Sequence, residues 1–183
     1  ILSIFVLTLI LSMGLLLTPG TSEADLLEID LYSSGDKLIT RDTGTGLDWL
    51  DLTATQGRSV NEVLADFGGF VSAGFRYATP VEVEALFTSA SIPYIGSTSI
   101  ANAPGVAQLL DLMGVTFTIQ MATGAKGMHD TGDPGFDSGF AGIGYLRLGE
   151  QNVPLAKAQT VKDIVRTEAR FDDAGSYLVR PVP

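Results

Sequence analysis

The chain has 183 residues, with 11 Lys and Arg against 21 Asp and Glu, one histidine and no cysteine. A net charge of −10 argues against a nucleic-acid partner, which needs a basic face to displace counterions, and against docking on anionic lipid. Without cysteine there is no disulfide framework, no thiolate metal site and no thiol nucleophile.

Ile1 to Leu17 form an uncharged apolar run, and Thr18, Pro19 and Gly20 break it. As a helix the run reaches about 25 Å, short of the roughly 20 residues a bilayer core takes. Ser22 and Ala24 put small residues at −3 and −1 of a cut before Asp25. Residues 1–24 therefore read as a signal peptide, truncated at its start because a basic n-region and an initiator Met are missing; an uncleaved membrane anchor is the alternative. Residues 25–183 then make one domain-sized chain, long enough to bury a core. An export signal with no cysteine suits a Gram-negative envelope: periplasm, outer cell surface or extracellular matrix.

Asp25 to Asp42 is a short extended lead-in with a turn at Ser33-Ser34-Gly35-Asp36 and a strand at Lys37 to Thr40. A second turn, Asp42 to Gly46, precedes a strand from Leu47 to Leu52 whose alternation slips phase, as a bulge would make it do. Ser59 with Glu62 is a capping box ahead of Val60, Val63, Leu64 and Phe67 at helical spacing, stopped by Gly68-Gly69. Thr79 with Glu82 is a second box, with Pro80 at the first helical position and Val83, Leu86 and Phe87 as the apolar stripe. A third helix spans Pro104 to Met113, ended by Gly114. Thr116 to Ala122 alternates as a half-buried antiparallel strand, with Phe117, Ile119 and Met121 on one face. Lys126 to Gly142, rich in Gly and Asp, reads as a long loop. Ile143 to Leu148 and Ser176 to Val179 are strands, and Asn152 to Lys162 has no firm pattern. Helices early and strands late indicate an α+β chain of antiparallel strands with two or three short helices. The end strands, Leu38 to Thr40 and Tyr177 to Arg180, are expected to pair and close the domain.

Three segments together resemble a known family. Thr43-Gly44-Thr45-Gly46-Leu47-Asp48-Trp49-Leu50-Asp51 resembles its opening "TGLxWLD". Ala73-Gly74-Phe75-Arg76-Tyr77-Ala78-Thr79-Pro80, running on to Phe87, resembles its "aGWRLPTxxELxxL" block. Tyr177-Leu178-Val179-Arg180 resembles its closing "YLVR" strand. The family is the secreted bacterial Lcl-type domain, similar in fold to C-type lectins, and the wording is closest to the subgroup found in PEP-CTERM proteins of biofilm-forming Gram-negative bacteria. Phe75 stands where Trp is commoner, Tyr77-Ala78 replaces Leu-Pro, and the family's paired cysteines are absent. The resemblance implies a C-type-lectin-like fold with a long loop, and a C-terminal sorting tail that the given chain lacks.

No catalytic signature occurs. His129 is followed by Asp130, but no G-x-S-x-G elbow accompanies the pair, and one histidine cannot build a His-rich zinc site. Asp130, Asp133 and Asp137 offer hard oxygen ligands of the kind calcium takes. Their spacing matches no EF-hand, and Asp- and Gly-rich loops commonly serve only as turns. His129, Phe136 and Phe140 are the candidate ligand contacts in the same stretch, with Tyr145 a further aromatic for a sugar platform and core packing its default role. Glu82 and Glu84, two apart on a helix, point to different faces and make no glycosidase pair. Arg76 and Arg180 are expected to pair with Asp48 or Asp51. The leading expectation is an exported non-enzymatic module binding extracellular polysaccharide or a cell-surface protein, with no nucleic-acid partner and no cofactor unless calcium. It would touch membrane only through the signal segment or the missing tail. The alternatives are a polysaccharide hydrolase using acidic groups and a structural matrix protein without a specific ligand.

Overall fold

Two antiparallel sheets frame the core of the computed structural model, which describes residues 25–120, 122–131, 139–147, 154–161 and 166–183. The first sheet begins with β1 (Leu26–Ile29), β2 (Ile39–Asp42) and β3 (Leu47–Leu50). The turn between β2 and β3 is built by Asp42, whose carboxylate accepts from the backbone N–H of Gly44 (2.9 Å) and Thr45 (3.1 Å). This hairpin occupies one edge of β3, so the C-terminal strand takes the other edge.

Beyond β3 the chain makes a short 3₁₀ turn at Leu52–Thr55. The expected bulged strand to Leu52 therefore ends at Leu50, and the phase slip marks a change of element. Both capping boxes form. Ser59 and Glu62 cap α1 (Val60–Leu64), and Thr79 and Glu82 cap α2 (Pro80–Ser89). The first helix is shorter than its stripe suggested. Asp66 adopts the left-handed conformation, which turns the chain before Phe67 and leaves Leu64 exposed. Between the helices lies β4 (Arg76–Tyr77), and α3 (Ala103–Met113) ends at Gly114, φ +82°, as expected.

The second sheet holds β5 (Phe117–Ile119), β6 (Ala122–His129), β7 (Gly139–Arg147) and β8 (Pro154–Val161), hydrogen-bonded in that order. Three expectations are corrected here. Of the stretch from Lys126 to Gly142, Lys126 to His129 belong to β6 and Gly139 to Gly142 to β7, paired as a hairpin, and residues 132–138 lie outside the described residues. The unpatterned stretch after Asn152 contains β8. Thr116 to Ala122 is two strands, not one; Ile119 is exposed while Thr116 is buried, so its alternation does not set its burial. Low strand propensity made the glycines look like loop, but packing requires some of them. A Cβ on Gly127 would stand 2.6 Å from a Leu52 methyl and 2.8 Å from the Tyr177 ring.

The chain returns through β9 (Gly175–Ser176), parallel to β6, and β10 (Leu178–Pro181). β10 lies between β3 and β4, giving the first sheet the order β1-β2-β3-β10-β4. The expected pairing of Leu38–Thr40 with Tyr177–Arg180 does not occur, because β3 intervenes. In its place, Arg41, Asp48 and Arg180 form one cross-strand row. Fully buried Asp48 accepts from Arg41 Nε at 2.7 Å and Nη2 at 3.0 Å, and Arg180 approaches at 3.4 Å. Removing either partner type from a buried carboxylate is costly, so the row holds the three strands in register.

One apolar cluster fills the space between the first sheet, α2, α3 and the inner face of the second sheet, with Trp49, Phe87, Leu109, Ile143 and Tyr177 at its centre. A second cluster, including Ile39, Leu50, Val63, Phe75 and Met128, lies on the other face of the first sheet. The fold is α+β with antiparallel sheets and few helices. Among the described residues no helix is long and apolar enough to cross a membrane.

Candidate functional site

The inner face of the second sheet is closed: Ala125, Ile143 and Ala158 stand in one cross-strand row and are all buried in the core. The outer face differs because its central strand has lost its side chains. Alternation along β7 places Phe140, Gly142 and Gly144 outward. Lys126 on β6 faces Gly142, and Gln159 on β8 faces it from the other side. Gly124 on β6 faces Gly144, with Lys157 opposite on β8. Phe117 on β5 faces Gly124, and its ring lies over that glycine: a Cβ there would come 2.7 Å from Phe117 Cζ.

Side chains on the two flanking strands thus rise beside a bare central strand. The flanking backbones are about 10 Å apart, two strand spacings. The result is an open groove of about 260 Å³, lined by Phe117, Lys126, Phe140, Lys157 and Gln159 over the glycine floor. This is smaller than the roughly 300–1,000 Å³ of an enclosing small-molecule pocket. An open trench of this size suits a segment of a longer chain passing through.

One end of the groove is firmly built. Phe140 meets Phe171 edge-to-face with ring centroids 5.0 Å apart, and Lys126 Nζ stands 5.0 Å from the Phe140 centroid. The same ammonium donates to Asp173 Oδ2 at 2.8 Å. Lys126 therefore ties the groove to the C-terminal segment and adds little free charge. Lys157 is different: among the described residues its ammonium has no hydrogen bond and no carboxylate partner.

The expected site residues do not converge. Phe140 is in the groove. His129 is on the opposite face of the same sheet and fully buried, not in a solvated loop. Its Nδ1 is 3.0 Å from the Asp130 carbonyl oxygen, and its buried Nε2 has no hydrogen-bond partner among the described residues. Asp130 is exposed at the end of β6, and its N–H donates to the Ala78 carbonyl at 2.8 Å. Phe136, Asp133 and Asp137 lie outside the described residues, so the full carboxylate set weighed for calcium is not described. Among the described residues no group of three or more His, Asp or Glu is placed to hold a metal ion. Tyr145 faces inward, where its hydroxyl donates to the Ala103 carbonyl at 2.7 Å, the packing role that was its default.

The carboxylates weighed for catalysis have structural partners. Glu82 bonds Thr79 and Arg76, and Glu84 accepts from Thr160 Oγ1 at 2.6 Å. Arg180 pairs with Asp48 as expected, but Arg76 takes Glu82 instead of Asp48 or Asp51.

Sequence reasoning missed Phe117, Lys126, Lys157 and Gln159 as groove residues. The available signal was Gly142-Ile143-Gly144. Glycines two apart in a strand strip one face while Ile143 keeps the other packed. Comparison with family models, curated proteins and solved structures finds no match for this chain.

Proposed function

We propose that the chain is a non-enzymatic, exported binding module of C-type-lectin-like type that holds polysaccharide at the cell surface or in the extracellular matrix, with the outer groove of the second sheet as its seat. The observation that carries this reading is the bare row Gly142 and Gly144, closed at one end by Phe140 of the same strand, between Phe117 and Lys126 on one side and Lys157 and Gln159 on the other. Phenyl faces suit the apolar faces of sugar rings, and amide and ammonium groups suit their hydroxyls. A backbone floor lets an extended polymer approach closely. Binding is favoured over cleavage because the described lining has no carboxylate, whereas a glycosidase needs a facing acid pair about 5–10 Å apart. The lectin-like reading is supported by the antiparallel sheets with few helices and by the seat of β10, which carries the YLVR-like segment, between β3 and β4.

Affinity electrophoresis through gels containing dextran, laminarin or polygalacturonate tests the reading. A Cβ on Gly142 would meet only the Ala125 carbonyl oxygen, at 3.4 Å, so Gly142→Val fills the groove with little strain. The expected result is retardation of the wild type by at least one polymer, lost in Gly142→Val with an unchanged melting temperature. No retardation by any polymer, or undiminished retardation of the variant, overturns the groove and leaves a structural matrix protein as the better account.

A further inference from the structure

We propose that the polymer seated in this groove is anionic, a polysaccharide carrying carboxylates of the uronic acid class, and that Lys157 recognises the charge. The inference rests on the groove reading above and adds the ligand's chemistry to it.

The chain carries nearly two acidic groups for every basic one, so a lysine or arginine has many carboxylates to pair with. The described cationic side chains do pair. Lys37, Arg41, Arg58, Arg76, Lys126, Arg166, Arg170 and Arg180 each form an ion pair within 4 Å. Among the cations whose side chains are described Lys157 is the exception, and it stands on the groove wall opposite Gly144. Its neighbour on the same wall, Gln159, is neutral, and the described lining includes no Asp or Glu. The net negative charge of the chain opposes a polyanion at long range, so the discrimination is a local one: with Lys126 neutralised by Asp173 and no acid in the described lining, the Lys157 ammonium favours a carboxylated sugar over a neutral one at the contact itself.

Lys126, facing Gly142 from the opposite wall, is held by Asp173 and supplies position more than charge. Its ammonium is fixed against the Phe140 ring, so the aromatic end of the groove keeps its shape. A carboxylated sugar would then stack at the Phe140 end and direct its charge across β7 toward Lys157. Neutral hexose would use the same stacking without the charge contact. The preference for anionic over neutral polymer should therefore depend on one side chain.

Matched polymer pairs differing only in charge test this: polygalacturonate against its methyl ester, and carboxymethyl-dextran against dextran, each titrated with wild type and Lys157→Gln in 0.1 M NaCl. The expected result is that wild type binds the charged member of at least one pair about two- to fivefold tighter than its neutral partner, the scale of one exposed charge contact. Lys157→Gln should lose that preference while holding the neutral member as the wild type does. Equal affinity for both members of each pair overturns the inference, as does a preference that survives Lys157→Gln; in both cases the groove reading stands. Failure of all four polymers to bind overturns the groove reading and this inference with it.

Discussion

Arg76 and Glu82 are joined by two hydrogen bonds, Nη1 to Oε2 at 2.9 Å and Nη2 to Oε1 at 2.6 Å. The same Oε2 accepts from the backbone N–H of Thr79 at 2.9 Å, so one carboxylate caps α2 and ties it to β4. The Arg76 guanidinium, with help from the Thr79 N–H and hydroxyl, overcomes the cost of burial and holds the Glu82 carboxyl down at about 2.

A depressed carboxyl contributes stability that is complete above the unfolded value of about 4.5 and is lost as pH falls toward about 2. Glu82→Gln is expected to lose about 1–2 kcal/mol at pH 6, allowing for the partial exposure of the pair, and close to nothing at pH 2. Urea midpoints of both proteins across that range measure it. A difference that does not shrink with acid would mean the carboxylate charge is not what stabilises the junction.

Asp51 behaves in the opposite sense. Burial, reinforced by the negative charges of Glu28 and Asp36, pushes its carboxyl up to about 7, and its buried Oδ1 has no hydrogen-bond partner among the described residues. The folded chain then holds this proton more tightly than the unfolded chain does. Stability falls as pH rises from about 4 to about 7. Asp51→Asn is expected to raise stability by about 1–2 kcal/mol at pH 7 and to leave it unchanged at pH 3.5. Thermal melts at the two pH values decide this, and a lower melting temperature at pH 7 would count against it.

Gly105 sits in the first turns of α3, where Ala would ordinarily be favoured by at most about 1 kcal/mol. Here a Cβ would run into the Ala90 carbonyl oxygen and the Ile92 side chain, at the point where α3 packs on the end of α2. Overlap in a packed interior costs about 1–3 kcal/mol, so Gly105→Ala should destabilise despite the propensity gain. A denaturation midpoint equal to or above that of the wild type would show that the two helices can slide apart freely.

Trp49 is fully buried in β3 and meets the Tyr177 ring edge-on, with centroids 6.3 Å apart. Trp49→Ala is expected to cost about 3–5 kcal/mol, as large aromatic truncations do. The single tryptophan also provides a direct probe: its fluorescence should resist acrylamide quenching until the chain unfolds. Ready quenching of the native protein, or a loss below about 1 kcal/mol in the variant, would place Trp49 at the surface.

The elements that were legible in the sequence are those whose signals lie within one turn of chain. Ser59 and Glu62, and Thr79 and Glu82, cap helices through contacts three residues apart, so residue types and spacing alone predict them. The same holds for Gly114 after α3. Trp49 in an apolar strand and the Asp42 turn belong to this class too.

Other features depended on what arrives from elsewhere in the chain. Gly124 and Gly127 look like loop formers until Phe117 is seen over one and Leu52 and Tyr177 against the other. The place of β10 between β3 and β4 depends on which edge the β2–β3 hairpin leaves open. The groove follows the same logic. Phe117, Lys126, Gly142 and Lys157 come from four strands spread over some forty residues, and only their register sets them side by side. Local hydrogen-bonding geometry is encoded where it is made. Strand pairing and packing are decided by partners distant in sequence, so the starts of α1 and α2 and the end of α3 were set by the sequence itself, while the strands of the second sheet and the candidate site were decided by tertiary structure.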